Sequence, residues 1–157
     1  MDKKLIFLVV MFFAFGDFKS YAQMGLHFTA KLYDKVTQQY GSKAAEKITS
    51  WENELLFNSK LAIDEKLFNI NNFFNIIPFK TDLNHWGKSD YWATPIEMLV
   101  TNGADCEDYV IAKYLSLRKL GIPDSKLRMM FVTALEQNQA HMVLAYYSAP
   151  NAIPLIL

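Results

Sequence analysis

An α+β fold, with helices first and antiparallel strands after, is what this 157-residue sequence predicts. Three observations carry the prediction. Apolar residues recur at helical spacing from Leu26 to Phe74, a capping box and a glycine stop bracket helices in the middle, and three β-like runs follow. The length is that of one domain. An apolar half and 15% aromatic residues exclude a disordered chain. Sixteen basic residues balance sixteen acidic ones, which argues against a nucleic-acid partner. The single cysteine excludes an intrachain disulfide and any multi-cysteine metal site.

The first residues read as a signal peptide. Asp2-Lys3-Lys4 is a charged start, Leu5 to Gly16 an apolar run, and Ser20 and Ala22 put small residues at the −3 and −1 positions of a cleavage site before Gln23. The run is short for a permanent membrane anchor. Residues 1–22 are therefore expected to be a signal peptide, and residues 23–157 the exported, periplasmic domain. Cleavage removes three lysines and two aspartates, so the mature chain carries a formal charge of −1. A lone thiol outside the cytosol is either buried and inert or kept for its reactivity.

Next come the helices. Leu26, Phe28, Leu32, Tyr33 and Val36 fall near helical spacing. Ser42 is a candidate cap for a second helix, Lys43 to Asn58, and Leu61 to Phe74 is a candidate third. A polar connection with His85, Trp86, Gly87 and Asp90 is expected between Pro78 and Tyr91. Thr94-Pro95-Ile96-Glu97 is a capping box that opens a short helix ending by Asn102-Gly103. A further helix is expected from about Ala104 to Leu120, stopped by Gly121 and Pro123. Cys106, Val110 and Leu117 lie on one stripe of it, with Lys113 at the intervening turn. Then come Leu127–Leu135, His141–Tyr147 and Ile153–Leu157, separated by polar or Pro/Asn-containing turns.

Cys106 falls in the first turn of its helix, where the positive helix end favours a thiolate. Asp105, Glu107 and Asp108 crowd the same turn and oppose that shift unless a cation neutralises them. The bland alternatives are a small buried hydrophobe for Cys106 and ordinary N-terminal helix charge for the carboxylates. His141 opens the second strand, where a returning sheet can bring it against the helix start. A cysteine and a histidine placed so form a base-activated nucleophile. An orienting third group is expected from the next strand, yet Ile153 to Leu157 contains no Asp, Asn or Glu.

Asp90 to Glu97, Asn102 to Tyr109, Ala112-Lys113-Tyr114, Leu120 to Pro123 and His141 to Tyr147 together resemble the bacterial transglutaminase-like cysteine proteinases. The likeness is dense from Asp90 to Leu157 and thinner toward the N-terminus. It implies a papain-like or transglutaminase-like core, with the nucleophile's helix packed on an antiparallel sheet. It implies Cys106 as nucleophile, His141 as general base, and a catalytic Asp just beyond Leu157, so the domain is expected to be C-terminally incomplete. It implies Ca²⁺ held by Asp105 and Glu107, with Asp108 assisting, since hard carboxylate oxygens suit that ion. The implied substrate is a large surface adhesin, cut near its N-terminus to release cells from a biofilm. The implied partner is an inner-membrane cyclic-di-GMP receptor, for which Trp86 and Trp92 are candidate contacts. Two alternatives stay open: an inactive relative serving as a binding module, and an acyl transferase of transglutaminase type, which shares the thioester step.

Overall fold

The computed structural model describes residues 25–136 and 138–157, and residues 1–22, expected to be a signal peptide, lie outside them. Six helices precede the sheet among the described residues: α1 Ala30–Tyr40, α2 Ser42–Asn58, α3 Ile63–Asn75, α4 Asp82–Trp86, α5 Pro95–Thr101 and α6 Cys106–Lys119. A single 3₁₀ turn, Asp124–Lys126, leads into β1 Leu127–Ala134, β2 Gln139–Tyr146 and β3 Leu155–Ile156. The strands form one antiparallel sheet in the order β1-β2-β3. The α+β expectation holds, and its helix-then-sheet order is observed.

Local chemistry accounts for most of the boundaries. Thr94 Oγ1 accepts the Glu97 N–H at 3.2 Å and Glu97 Oε2 accepts the Thr94 N–H at 2.8 Å, so the capping box forms as read. Asn102 ends α5 in the left-handed region, and Gly121 does so just past α6. Asn138, also left-handed, turns β1 into β2. Two expectations change. Ser42 is the first helical residue rather than the cap, because Gly41, with φ +86°, takes that position. Only one residue separates α1 from α2, and reversing direction there needs a backbone that glycine tolerates best. The connection between Pro78 and Tyr91 is also not wholly irregular, because α4 folds within it and Gly87 stops that helix at φ +66°.

The core lies between the helices and one face of the sheet. α6 packs on β2 from one side and α3 from the other, while α2 bridges α1 and α5. Ile48, Leu55, Leu67, Ile70, Phe74, Met98, Leu117 and Leu144 are fully buried there. One buried polar link ties α2 to α6: Trp51 Nε1–H donates to Ser116 Oγ at 3.0 Å, and Ser116 Oγ donates to the Ala112 carbonyl at 2.8 Å. Ser116→Ala leaves the Trp51 N–H buried without an acceptor. It should cost about 1–3 kcal/mol of stability, read as a lower urea midpoint at unchanged slope.

Candidate active site

The start of α6 is built by the segment that precedes it. Phe79 and Ala104 pair as a parallel β-bridge, and the Lys80 N–H donates to the Ala104 carbonyl at 2.8 Å. This bridge lays α4 beside the approach to Cys106. Gly103 permits it: a Cβ there would come within 2.8 Å of His85 Cε1, and His85 is pinned by a 2.7 Å contact from Nε2 to Thr101 Oγ1. A side chain at position 103 would push α4, and Asp82 with it, away from α6.

Asp82 is the consequence. Its side chain is buried, and it accepts the Tyr91 N–H through Oδ2. Asp108, also buried, accepts the Ala93 N–H at 2.7 Å and the Asp105 N–H at 3.3 Å. These bonds wrap the chain from 79 to 93 around a carboxylate cluster. Asp82, Asp105 and Asp108 each bring one carboxylate oxygen within 4.8 Å of the others, and Asp82, Asp90 and Glu107 form a second such set. Oδ1 of Asp82 and Oδ1 of Asp105 are buried with no hydrogen-bond partner. Buried carboxylate oxygens left so demand a proton or a cation.

Burial first, and then the carboxylates around it led by Glu107, push the Asp105 carboxyl up to about 8. Burial pushes Asp108 up to about 6 against two backbone N–H donors that pull it down. An all-oxygen donor set with two unsatisfied oxygens fits a hard divalent cation such as Ca²⁺. Of the residues expected to hold it, Asp105 is in the cluster with an oxygen free and Glu107 meets Asp82 and Asp90. Both oxygens of Asp108 are already committed to backbone N–H groups. Asp82 and Asp90 were missed by sequence reasoning. Their only signal was acidic character in a polar connection, and nothing in their spacing to Cys106 shows that a β-bridge brings them alongside.

Cys106 is the first residue of α6 and is half-buried. Its thiol donates to Glu107 Oε2 at 3.2 Å. Burial, and next this hydrogen bond, push the thiol up to about 11, while the Met142 backbone N–H pulls it the other way. A thiol raised that far is protonated near neutral pH. Cys106 and His141 line one cavity of about 210 Å³, together with Met142 and Val143 of β2, Tyr109, Val110 and Lys113 of α6, and Phe79. The expected pair is thus on one surface, although the sulfur's own hydrogen bond goes to Glu107. Of the two tryptophans, Trp86 packs between His85, edge-to-face, and Tyr91, tilted, at 4.7 and 4.6 Å between ring centroids. Trp92 is 51% exposed.

Residues 37–149 match the family model of the bacterial transglutaminase-like cysteine proteinases. No curated protein sequence matches the chain. Among solved structures, Legionella pneumophila LapG treated with EGTA is similar at 36% identity and a TM-score of 0.71, covering 83% of this chain and 70% of that one. Another structure of Legionella pneumophila LapG matches at 36% identity and a TM-score of 0.71, over 83% of this chain and 72% of its own. Its calcium-bound form matches at 36% identity and a TM-score of 0.70, over 82% and 71%.

Proposed function

The chain belongs to the bacterial transglutaminase-like cysteine proteinases and is a cysteine peptidase by family, and from that premise we propose a calcium-dependent endopeptidase that acts in the periplasm on a large surface adhesin. The observation that carries the reading is the shared cavity of Cys106 and His141 beside five clustered carboxylates. The chemistry is acyl transfer. Cys106 Sγ bonds to the scissile carbonyl carbon, and its proton passes to His141. His141 returns that proton to the departing amine as the C–N bond breaks, leaving a thioester. Water, deprotonated by His141, then releases the acid and restores the thiol. Free backbone N–H groups in the first turn of α6 are suited to hold the developing oxyanion.

Asp82, Asp90, Asp105 and Glu107 would hold Ca²⁺. When bound, the ion supplies positive charge that offsets the carboxylates around the sulfur. Trp92 is the exposed candidate contact for a cyclic-di-GMP receptor of the inner membrane.

The test incubates the protein with the N-terminal part of the adhesin, with calcium or with a chelator, and maps the products by mass spectrometry. One cut near the adhesin's N-terminus, seen with calcium and lost with chelator, is the expected result. An uncut adhesin under both conditions would sink the reading. Residues 1–22 are expected to be missing from the exported protein, and the intact mass of periplasmic material checks this directly. A mass that retains Met1 to Ala22 contradicts the signal-peptide assignment.

A further inference from the structure

Asp82 and Asp90 lie on the segment from Ile77 to Ala93, whereas Asp105, Cys106 and Glu107 open α6. The carboxylate cluster therefore spans two bodies, and its geometry depends on how they are joined. Among the described residues, three hydrogen bonds join the segment to α6 and its approach. At the far end Asp108 accepts the Ala93 N–H at 2.7 Å. Ahead of Asp82 the Lys80 N–H donates to the Ala104 carbonyl at 2.8 Å. At the start the Tyr109 hydroxyl donates to the Ile77 carbonyl. The first is made by a member of the cluster and the second by backbone alone. Tyr109 is the one uncharged side chain in the set.

The bridge between Phe79 and Ala104 is a single pair. One backbone hydrogen bond fixes a distance and lets the segment pivot about it. Pro78 adds no donor, because its nitrogen carries no hydrogen. An anchor at Ile77, three residues before Lys80, removes the pivot. Tyr109 can supply that anchor rigidly. Its ring packs against the hydrophobic core, and it stands three residues after Cys106, so phenol and nucleophile belong to adjacent turns of one helix. On the other side, Thr81 alone separates Lys80 from Asp82, and its carbonyl accepts the Asn84 and His85 N–H groups at 3.0 and 2.9 Å. Little slack remains between the anchored strap and the Asp82 carboxylate.

We propose that Tyr109 is a positioning residue of the peptidase site: its hydroxyl anchors the strap Ile77–Lys80 on α6 and so sets the spacing between Asp82 and the turn bearing Asp105, Cys106 and Glu107. The inference rests on the calcium-dependent peptidase reading and adds to it a residue that acts through Asp82. Loss of the hydroxyl changes no charge in the site, so its effect on the cation is one of geometry.

The first measurement needs neither calcium nor substrate. Amide hydrogen exchange, followed by NMR in chelator, compares the wild type with Tyr109→Phe, which keeps the ring. The N–H groups of Lys80 and Tyr91, bonded to Ala104 and to Asp82, should exchange on the order of fivefold faster in the variant. The Ala93 N–H, held by Asp108 at the far end, should not change. Equal acceleration at all three, or at none, overturns the proposal, because a merely structural role loosens the domain as a whole. Calorimetric titration with calcium follows. Tyr109→Phe should bind on the order of fivefold more weakly, while Ser116→Ala, which weakens the core elsewhere on α6, should bind as the wild type does. Unchanged affinity in Tyr109→Phe, or an equal loss in Ser116→Ala, overturns the proposal. In the cleavage assay Tyr109→Phe should lose kcat at low calcium, regain it at saturating calcium and keep its KM. A kcat deficit that saturating calcium leaves in place overturns an action through Asp82. In the wild type alone, calcium should slow Lys80 exchange and shift the Tyr109 Cζ resonance, since coupling between strap and cation is reciprocal. This keeps the test decisive should Tyr109→Phe fold poorly, and both signals unmoved by bound calcium overturn the proposal. A wild type that binds no calcium overturns the calcium reading instead, and the exchange pattern in chelator still decides the anchor. Tyr109-dependent calcium binding with no substrate cut keeps the anchor and overturns the peptidase reading.

Discussion

Cys106→Ala should remove adhesin cleavage entirely while leaving the fold and the carboxylate cluster in place. The thiol is half-buried, donates to the neighbouring Glu107 and faces the Met142 backbone N–H, so a methyl group fits without exposing a core atom. The chemical loss is not partial. Without sulfur no thioester forms, and what remains is binding and oxyanion stabilisation. Removal of a nucleophile from a comparable serine triad costs on the order of 10⁶ in turnover. His141→Ala should cost nearly as much, and the double variant no more than either single one, because nucleophile and base act as a unit. Single-turnover cleavage assays with calcium present, beside circular-dichroism melts of each variant, measure both quantities. Equal activity in Cys106→Ala would remove the catalytic assignment. A double variant slower than both singles by their product would show two residues acting independently, and His141 would lose its role as base.

The structure also shows which parts of this arrangement were legible beforehand. The capping box Thr94–Glu97 and the stop at Gly121 were readable because their signals are local: each hydrogen-bond partner lies within a few residues. The position of Cys106 at a helix start followed from the same rules. Asp82 and Asp90 were not readable, since they reach the site through a single β-bridge between Phe79 and Ala104, which no periodicity announces. Lys113 was placed on the intervening turn of α6, but its burial comes from the packing of α6 between β2 and α3. Gly41 took the capping role expected of Ser42 because the turn between α1 and α2 holds one residue, a constraint of tertiary geometry rather than of propensity.

Asp105→Asn is expected to change stability in opposite directions with and without calcium. In the cation-free protein the Asp105 carboxyl is raised to about 8 by burial and by the surrounding carboxylates, well above the ordinary range near 4. A group raised on folding favours the native state fully below the unfolded pKa and loses that contribution as pH rises through the folded one. With chelator present, wild-type stability should therefore fall steadily between about pH 4 and pH 8. Asp105→Asn removes the titrating group and should flatten that slope, melting above the wild type at pH 7.5. Calcium reverses the order. At a hundredfold excess over its Kd, a ligand of the native state adds about 2.7 kcal/mol, or about 5–10 °C in melting temperature for a chain of this size. The amide keeps one oxygen donor and loses the charge, so its calcium affinity should drop on the order of tenfold or more. Wild-type affinity should itself rise with pH toward 8, because binding displaces the Asp105 proton. Thermal melts at several pH values, in calcium and in chelator, together with calorimetric titration of calcium, test every part of this. Asp82→Asn should repeat the calcium defect, since its Oδ1 is the other buried carboxylate oxygen without a partner. Calcium affinity undiminished in both variants would move the ion away from this cluster. A chelator-treated Asp105→Asn that melts below the wild type at pH 7.5 would mean that the cation-free carboxylates do not repel one another.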